Sequence, residues 1–131
     1  MNRIANTTND FEVQDPIQIS TSDGQTLTAT LYVPRGPTKA ALQIHGGIGV
    51  KRLFYRHFAG YLASHGYAVL TFDYRGTGDS RPQSLRGYRA RLRDWGQQDL
   101  PAVLDWLSQR YPHLPKYAVG HSMGGQLTGL N

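Results

Sequence analysis

Tyr117-Ala118-Val119-Gly120-His121-Ser122-Met123-Gly124-Gly125 is the stretch that decides the reading of this chain. The apolar run Tyr117 to Val119 predicts a short strand, and the glycines after it predict a sharp turn into a helix. Gly120-His121-Ser122-Met123-Gly124 is a G-x-S-x-G motif in the strand-to-helix setting that the motif requires. In such a turn the serine backbone is strained and its hydroxyl is exposed. Glycine is needed at 120 and 124, because side chains there would collide with the neighbouring strand and helix. A helix starting near Ser122 aims its first N–H groups at developing negative charge. Ser122 is therefore the candidate nucleophile. Gly120, His121 and Gly124 frame its turn, and the Met123 N–H is one candidate oxyanion donor.

Working back from this motif, two further apolar runs end in glycine-bearing segments. Lys39 to Ile44 leads into His45-Gly46-Gly47-Ile48-Gly49, and Tyr67 to Phe72 leads into Asp73-Tyr74-Arg75-Gly76-Thr77-Gly78-Asp79-Ser80. Between them, Arg52 to His65 predicts a helix with Phe54, Phe58, Tyr61 and Leu62 at helical spacing, stopped by a C-terminal Gly66. A further helix reaches about Tyr111, with Leu100, Val103, Leu104 and Leu107 as its apolar stripe. Pro101 fits if that helix starts near Asp99, which could cap it; otherwise it kinks a longer helix. Ahead of all this, Pro16 to Thr21 and Thr26 to Val33 predict an antiparallel hairpin around Ser22-Asp23-Gly24-Gln25. Its second strand reads as half-buried, with Leu27, Ala29, Leu31 and Val33 alternating against threonines and Tyr32. The order is β-β-β-α-β-α-β-α. Continuous apolar strands alternating with helices predict an α/β fold, a mostly parallel sheet with helices on both faces. In such sheets ligands bind beyond the carboxyl ends of the strands, where all three glycine-bearing motifs fall.

The loop His45-Gly46-Gly47 is expected to give the second oxyanion N–H. Gly47 is the first candidate, since a glycine backbone can approach the reacting oxygen, and Ile48 is the second. His45 is expected to shape its own loop rather than act as a base. The Asp73 to Ser80 segment is expected to form a tight loop under the site, with Asp73 and Arg75 bonding to backbone. It lacks the lysine and following hydroxyl of a phosphate-binding P-loop. Leu85, Tyr88 and Trp95 could line an acyl pocket, though ordinary packing is the expected role.

Composition bounds the rest. The 131 residues suit one domain, 39% hydrophobic and 18% charged. No apolar run is long enough to span a membrane, and Met1 to Asp10 is too polar for a signal peptide. The lack of cysteine excludes disulfides and thiolate chemistry and makes the cytoplasm the expected home. The formal charge of +5 draws on Arg81, Arg86, Arg89, Arg91 and Arg93. These read as a solvated loop and helix face, with a patch for an anionic partner as the alternative. No aromatic-interleaved basic motif suggests nucleic acid.

Taken together, these motifs resemble the N-terminal part of the α/β-hydrolase superfamily, in its serine aminopeptidase and monoacylglycerol lipase-like branch. The matching residues are His45-Gly46-Gly47, Gly66-Tyr67-Ala68-Val69, Asp73 to Ser80 and Gly120 to Gly125. The resemblance implies residues 1–131 as the N-terminal part of a single α/β-hydrolase domain, truncated after the nucleophile elbow helix. It implies acyl transfer to water through an acyl-enzyme on Ser122, with Gly47 and Met123 as oxyanion donors. The substrate would be a small acyl or peptide molecule carrying an ester, thioester, amide or peptide bond. No metal or organic cofactor is expected. The triad acid and histidine would follow the elbow, so none is assigned; His57, His65 and His113 fall away from the strand tips. A C-terminal segment is expected to be missing, and the strand before Ser122 is expected to keep an unpaired apolar edge. Two other readings are an inactive remnant or binding module, and an acyltransferase on the same fold.

Overall fold

A computed structural model of the chain describes residues 10–47, 49–81, 92–122 and 124–125. Its elements are β1 (Phe11–Ser20), β2 (Thr26–Pro34), β3 (Ala40–His45), α1 (Arg56–Ser64), β4 (Tyr67–Phe72), α2 (Leu100–Arg110) and β5 (Lys116–Gly120). The strands form one five-stranded sheet in the order β1-β2-β4-β3-β5. β1 and β4 flank β2 antiparallel, and β4 and β5 flank β3 parallel. The crossover from β3 to β4 runs one way along the sheet, and that from β4 to β5 runs back past β3. Right-handed crossovers in opposite directions put their helices on opposite faces. The loops leaving β3 and β4 therefore diverge, which opens a crevice beyond their carboxyl ends.

Each face has its own core. On one, Leu27, Ala29, Leu31, Ala41, Leu70 and Phe72 pack against Leu100, Val103 and Leu107 of α2. On the other, Tyr32, Ile44 and Val69 pack against Tyr55, Ala59 and Ala63. β2 is thus covered on both sides: Thr28, Thr30 and Tyr32 are buried, so the half-buried expectation does not hold. β1 begins at Phe11, earlier than the sequence pattern suggested. Its polar first half pairs through a register shift between Gln14 and Ile17, and Ile17 and Ile19 lie opposite Ala29 and Leu27.

The first helix departs furthest from its expected face. It opens as a 3₁₀ turn, Arg52–Tyr55, and continues as α1. Phe54, Phe58 and Tyr61 are exposed, whereas Tyr55, Ala59 and Ala63 face the sheet. Small residues at that spacing let the helix lie close: a Cβ on Gly60 would come within 2.9 Å of the Phe11 ring. Close approach decided the buried face here, not side-chain size. Gly66 ends the helix at φ +97, as its position predicted. The second helix enters through one short turn, Leu92–Asp94, and a π turn, Trp95–Asp99. Pro101, which has no N–H to continue the ladder, follows that wide turn, so it sits within a longer helical run. Asp99 makes no capping bond, and its carboxylate is used elsewhere.

Candidate active site

The site is assembled by the pairing of β3 with β5. Ile44 lies opposite Val119 and His45 opposite Gly120, and the His121 N–H continues the ladder to the His45 carbonyl at 2.9 Å. This register holds the two glycine motifs side by side at the strand ends. Ser122 follows at φ +57, and among the described non-glycine residues it alone has a positive φ. That conformation costs on the order of 1–3 kcal/mol and persists only where the surroundings fix it. They do so here through contacts made by main chain. A Cβ on Gly124 would lie 1.9 Å from the His45 carbonyl oxygen, and one on Gly120 would lie 2.4 Å from the Gly125 Cα. Both glycine positions are therefore required, each on the side the motif predicted. The Gly124 and Gly125 amides close the turn onto the His121 and Ser122 carbonyls at 3.0 and 3.1 Å, and Ser122 is exposed.

In the loop His45-Gly46-Gly47 the expected donor already has a partner. The Gly47 N–H donates to the Tyr55 hydroxyl at 2.9 Å, and that hydroxyl lies 2.8 Å from His121 Nδ1. The candidate donor is thus already engaged. Tyr55 also explains Gly46: a Cβ there would meet the tyrosine ring at 3.0 Å. His45 is 1% exposed, and burial pulls its pKa down to about 4, so it is neutral at pH 7. Its Nε2 lies 2.7 Å from the Gln43 amide nitrogen on the same strand. The ring lies edge-on to Phe72, and the main-chain carbonyl takes part in the turn by accepting the His121 N–H.

Two buried arginines brace the crevice from below. Arg52 pairs with Asp73 at 2.6 Å, Asp15 at 2.8 Å and Asp79 at 2.8 Å. Asp73 also accepts the Arg52 and Asp79 N–H groups at 2.7 and 3.1 Å, the backbone role expected of it. Arg75 does not bond backbone through its side chain. Its guanidinium reaches Asp99 at 2.7 Å and Asp23 at 2.7 and 2.9 Å. Hydrogen bonds from Arg75 hold the Asp23 carboxyl down at about 2, whereas burial pushes Asp99 up to about 6.

A family model described as serine aminopeptidase, S33 matches residues 36–129. The chain belongs to this family. It is 29% identical to human monoglyceride lipase over 119 residues, spanning 89% of this chain and 38% of that protein. It is 38% identical to the lysophosphatidylserine lipase ABHD12 of Danio rerio over 92 residues, 22% of that protein's length. Among solved structures, a Pyrococcus furiosus esterase superposes on 97% of this chain with a TM-score of 0.73 and 26% identity. A thermostable carboxyl esterase of Bacillus coagulans gives a TM-score of 0.73 at 20% identity, a likeness of fold. The chain spans less than half the length of these relatives.

Within the family frame, some of the sequence-based expectations fall outside the described residues. These are the Met123 donor, Ile48, Leu85, Tyr88 and the basic residues Arg86, Arg89 and Arg91. Arg81 and Arg93 are exposed, in keeping with a solvated face. Trp95 stacks on Tyr74 at 4.5 Å and packs in the core. His57, His65 and His113 are exposed, and His65 Nδ1 meets the Tyr61 carbonyl. Among the described residues no helix is long and apolar enough to cross a membrane, and no acidic or histidine cluster could hold a metal. Sequence reasoning missed Tyr55, Arg52 and the Arg75–Asp99 pair. Tyr55 stood outside the expected stripe of Phe54, Phe58, Tyr61 and Leu62, and nothing in the sequence pattern singled it out.

Proposed function

We propose that this chain carries the nucleophile half of a serine hydrolase acting on an ester bond of a small acyl substrate. The observation that carries the reading is the positive φ of Ser122, held by glycine contacts that leave its hydroxyl open to solvent. A strained, exposed serine at the strand tips is the arrangement an acyl-transfer nucleophile needs. The relatives' names, lipase and esterase, favour an ester over an amide.

In this reading Ser122 Oγ attacks the acyl carbonyl and the carbonyl oxygen becomes an oxyanion held by main-chain N–H groups. The alcohol leaves with a proton, and water then attacks the acyl-serine to release the acid. Met123 is the proposed first donor. Gly47 serves as the second if its N–H turns from the Tyr55 hydroxyl to the oxyanion. A histidine and an acid from outside the described residues take and return the proton. Residues 1–131 then form the N-terminal part of one domain, and β5 pairs on its outer side with a later strand.

A fluorophosphonate probe, which phosphonylates activated serines, tests this. Mass spectrometry should find the adduct on Ser122, and Ser122→Ala should abolish it. Measured on the protein that also carries the histidine and acid, an adduct that survives Ser122→Ala, or no adduct at all, would remove the hydrolase reading.

A further inference from the structure

The Tyr55 hydroxyl touches both halves of the site, yet neither motif contains it. Tyr55 lies in the 3₁₀ turn Arg52–Tyr55 and is 8% exposed. Its oxygen accepts the Gly47 N–H at 2.9 Å and sits 2.8 Å from His121 Nδ1, one residue before the nucleophile. Among the described residues these are its two hydrogen-bond partners. The His121 ring is held in place for this contact. Phe54 stacks over it at 12° with centroids 6.5 Å apart, Tyr55 meets it edge-on at 5.7 Å, and its own N–H is tied to the His45 carbonyl.

We propose that Tyr55 is a positioning residue that ties the oxyanion loop to the nucleophile elbow, making the Gly47 N–H respond to the state of the His121 ring. The proton logic follows from the three atoms. When His121 is neutral with a bare Nδ1, Tyr55 donates its O–H to that nitrogen and accepts from Gly47. Each bond in such a one-way chain polarises and strengthens the next. When His121 is protonated, Nδ1–H becomes a donor, and the Tyr55 oxygen must accept from both sides while its own proton turns away. The Gly47 bond then weakens, so its N–H turns to a reacting oxygen at lower cost. Tyr55 is the titratable side chain hydrogen-bonded to the His121 ring among the described residues. β3 offers His121 a main-chain carbonyl, the 3₁₀ turn adds the Phe54 ring, and the neighbouring Arg52 is engaged by Asp15, Asp73 and Asp79.

This role rests on the reading of Ser122 as nucleophile, but its test reads hydrogen bonding without turnover, so it stands or fails apart from probe labelling. The full chain, labelled with ¹⁵N, is titrated between about pH 5 and pH 8, where a histidine changes charge. The Gly47 amide proton should shift toward lower frequency on acidification with the midpoint of the His121 ring. In Tyr55→Phe that shift should vanish while His121 still titrates. A Gly47 amide that stays flat through the wild-type His121 titration overturns the proposal, as does an unchanged shift in Tyr55→Phe. If Tyr55→Phe does not fold, His121→Asn decides: loss of the Gly47 titration supports the coupling, and its persistence refutes it.

Discussion

β4 and β5 carry the same sequence signature, a short apolar run ending in a glycine-bearing loop, yet they live in opposite surroundings. β4 lies between β2 and β3, and Ala68, Val69 and Leu70 are fully buried. β5 lies at the sheet edge, paired with β3 alone among the described strands, and Tyr117 is 57% exposed. The loop after β4 is braced by buried ion pairs, whereas the turn after β5 is braced by main-chain contacts with the end of β3. An apolar run therefore states how much cover a strand requires, not how much it has. The turn at Ser122 takes its shape from main-chain packing against the end of β3.

The largest expected effect tests the buried side. Arg52→Ala strips the charge partner from Asp73, which is itself 1% exposed in its side chain. Breaking such a buried pair costs about 3–5 kcal/mol, read from urea melts, and the elbow should be lost together with the sheet. Smaller and pH-dependent is His45. Its pKa of about 4 lies below the ordinary 6.5, so the folded state binds fewer protons than the unfolded one as pH falls between those values. Stability should thus drop from about pH 6.5 to pH 4, by about 3 kcal/mol at most. The raised Asp99 carboxyl works in the opposite sense over its own window, gaining stability as pH falls from about 6 toward 3.8. The difference between wild type and His45→Gln, measured by melts at each pH, isolates the histidine.

Gly124→Ala probes the other side of the comparison. The clash with the His45 carbonyl should cost about 1–3 kcal/mol in melts. Displacing the serine by about 1 Å should slow probe labelling of Ser122 on the order of 10²-fold. A folded variant labelled at the wild-type rate would show that the turn does not depend on this contact. The smallest effect belongs to the edge. Tyr117→Lys should change stability by no more than about 0.5 kcal/mol while reducing concentration-dependent association in sedimentation. Unchanged association would mean that the outer side of β5 is not the sticky surface.

The succession of elements and both glycine motifs were legible because they depend on local pattern: continuous apolar runs, and glycines where backbones meet. Ser122, Gly120 and Gly124 could be named for that reason. The inward face of the first helix could not be read, because Phe54, Phe58 and Tyr61 outshine Ala59 and Ala63 in hydrophobicity while the sheet selects for closeness. Asp99 was read as a cap from its place before a helix; its real partner, Arg75, lies 24 positions away and follows a different strand. Tyr55 escaped for the same reason. Its importance lies in a hydroxyl that joins residues 47 and 121, and no spacing along the chain encodes that meeting.

The glycine contacts also decide how this site can change over generations. At Gly46 the obstacle is the Tyr55 side chain, so a second substitution that shrinks the tyrosine could make room for a larger residue. At Gly120 and Gly124 the obstacles are a main-chain Cα and a carbonyl oxygen, which every amino acid carries. No compensating mutation can remove them. A lineage that loses either glycine must regain that glycine or abandon the turn, whereas the rim beside it remains free to drift.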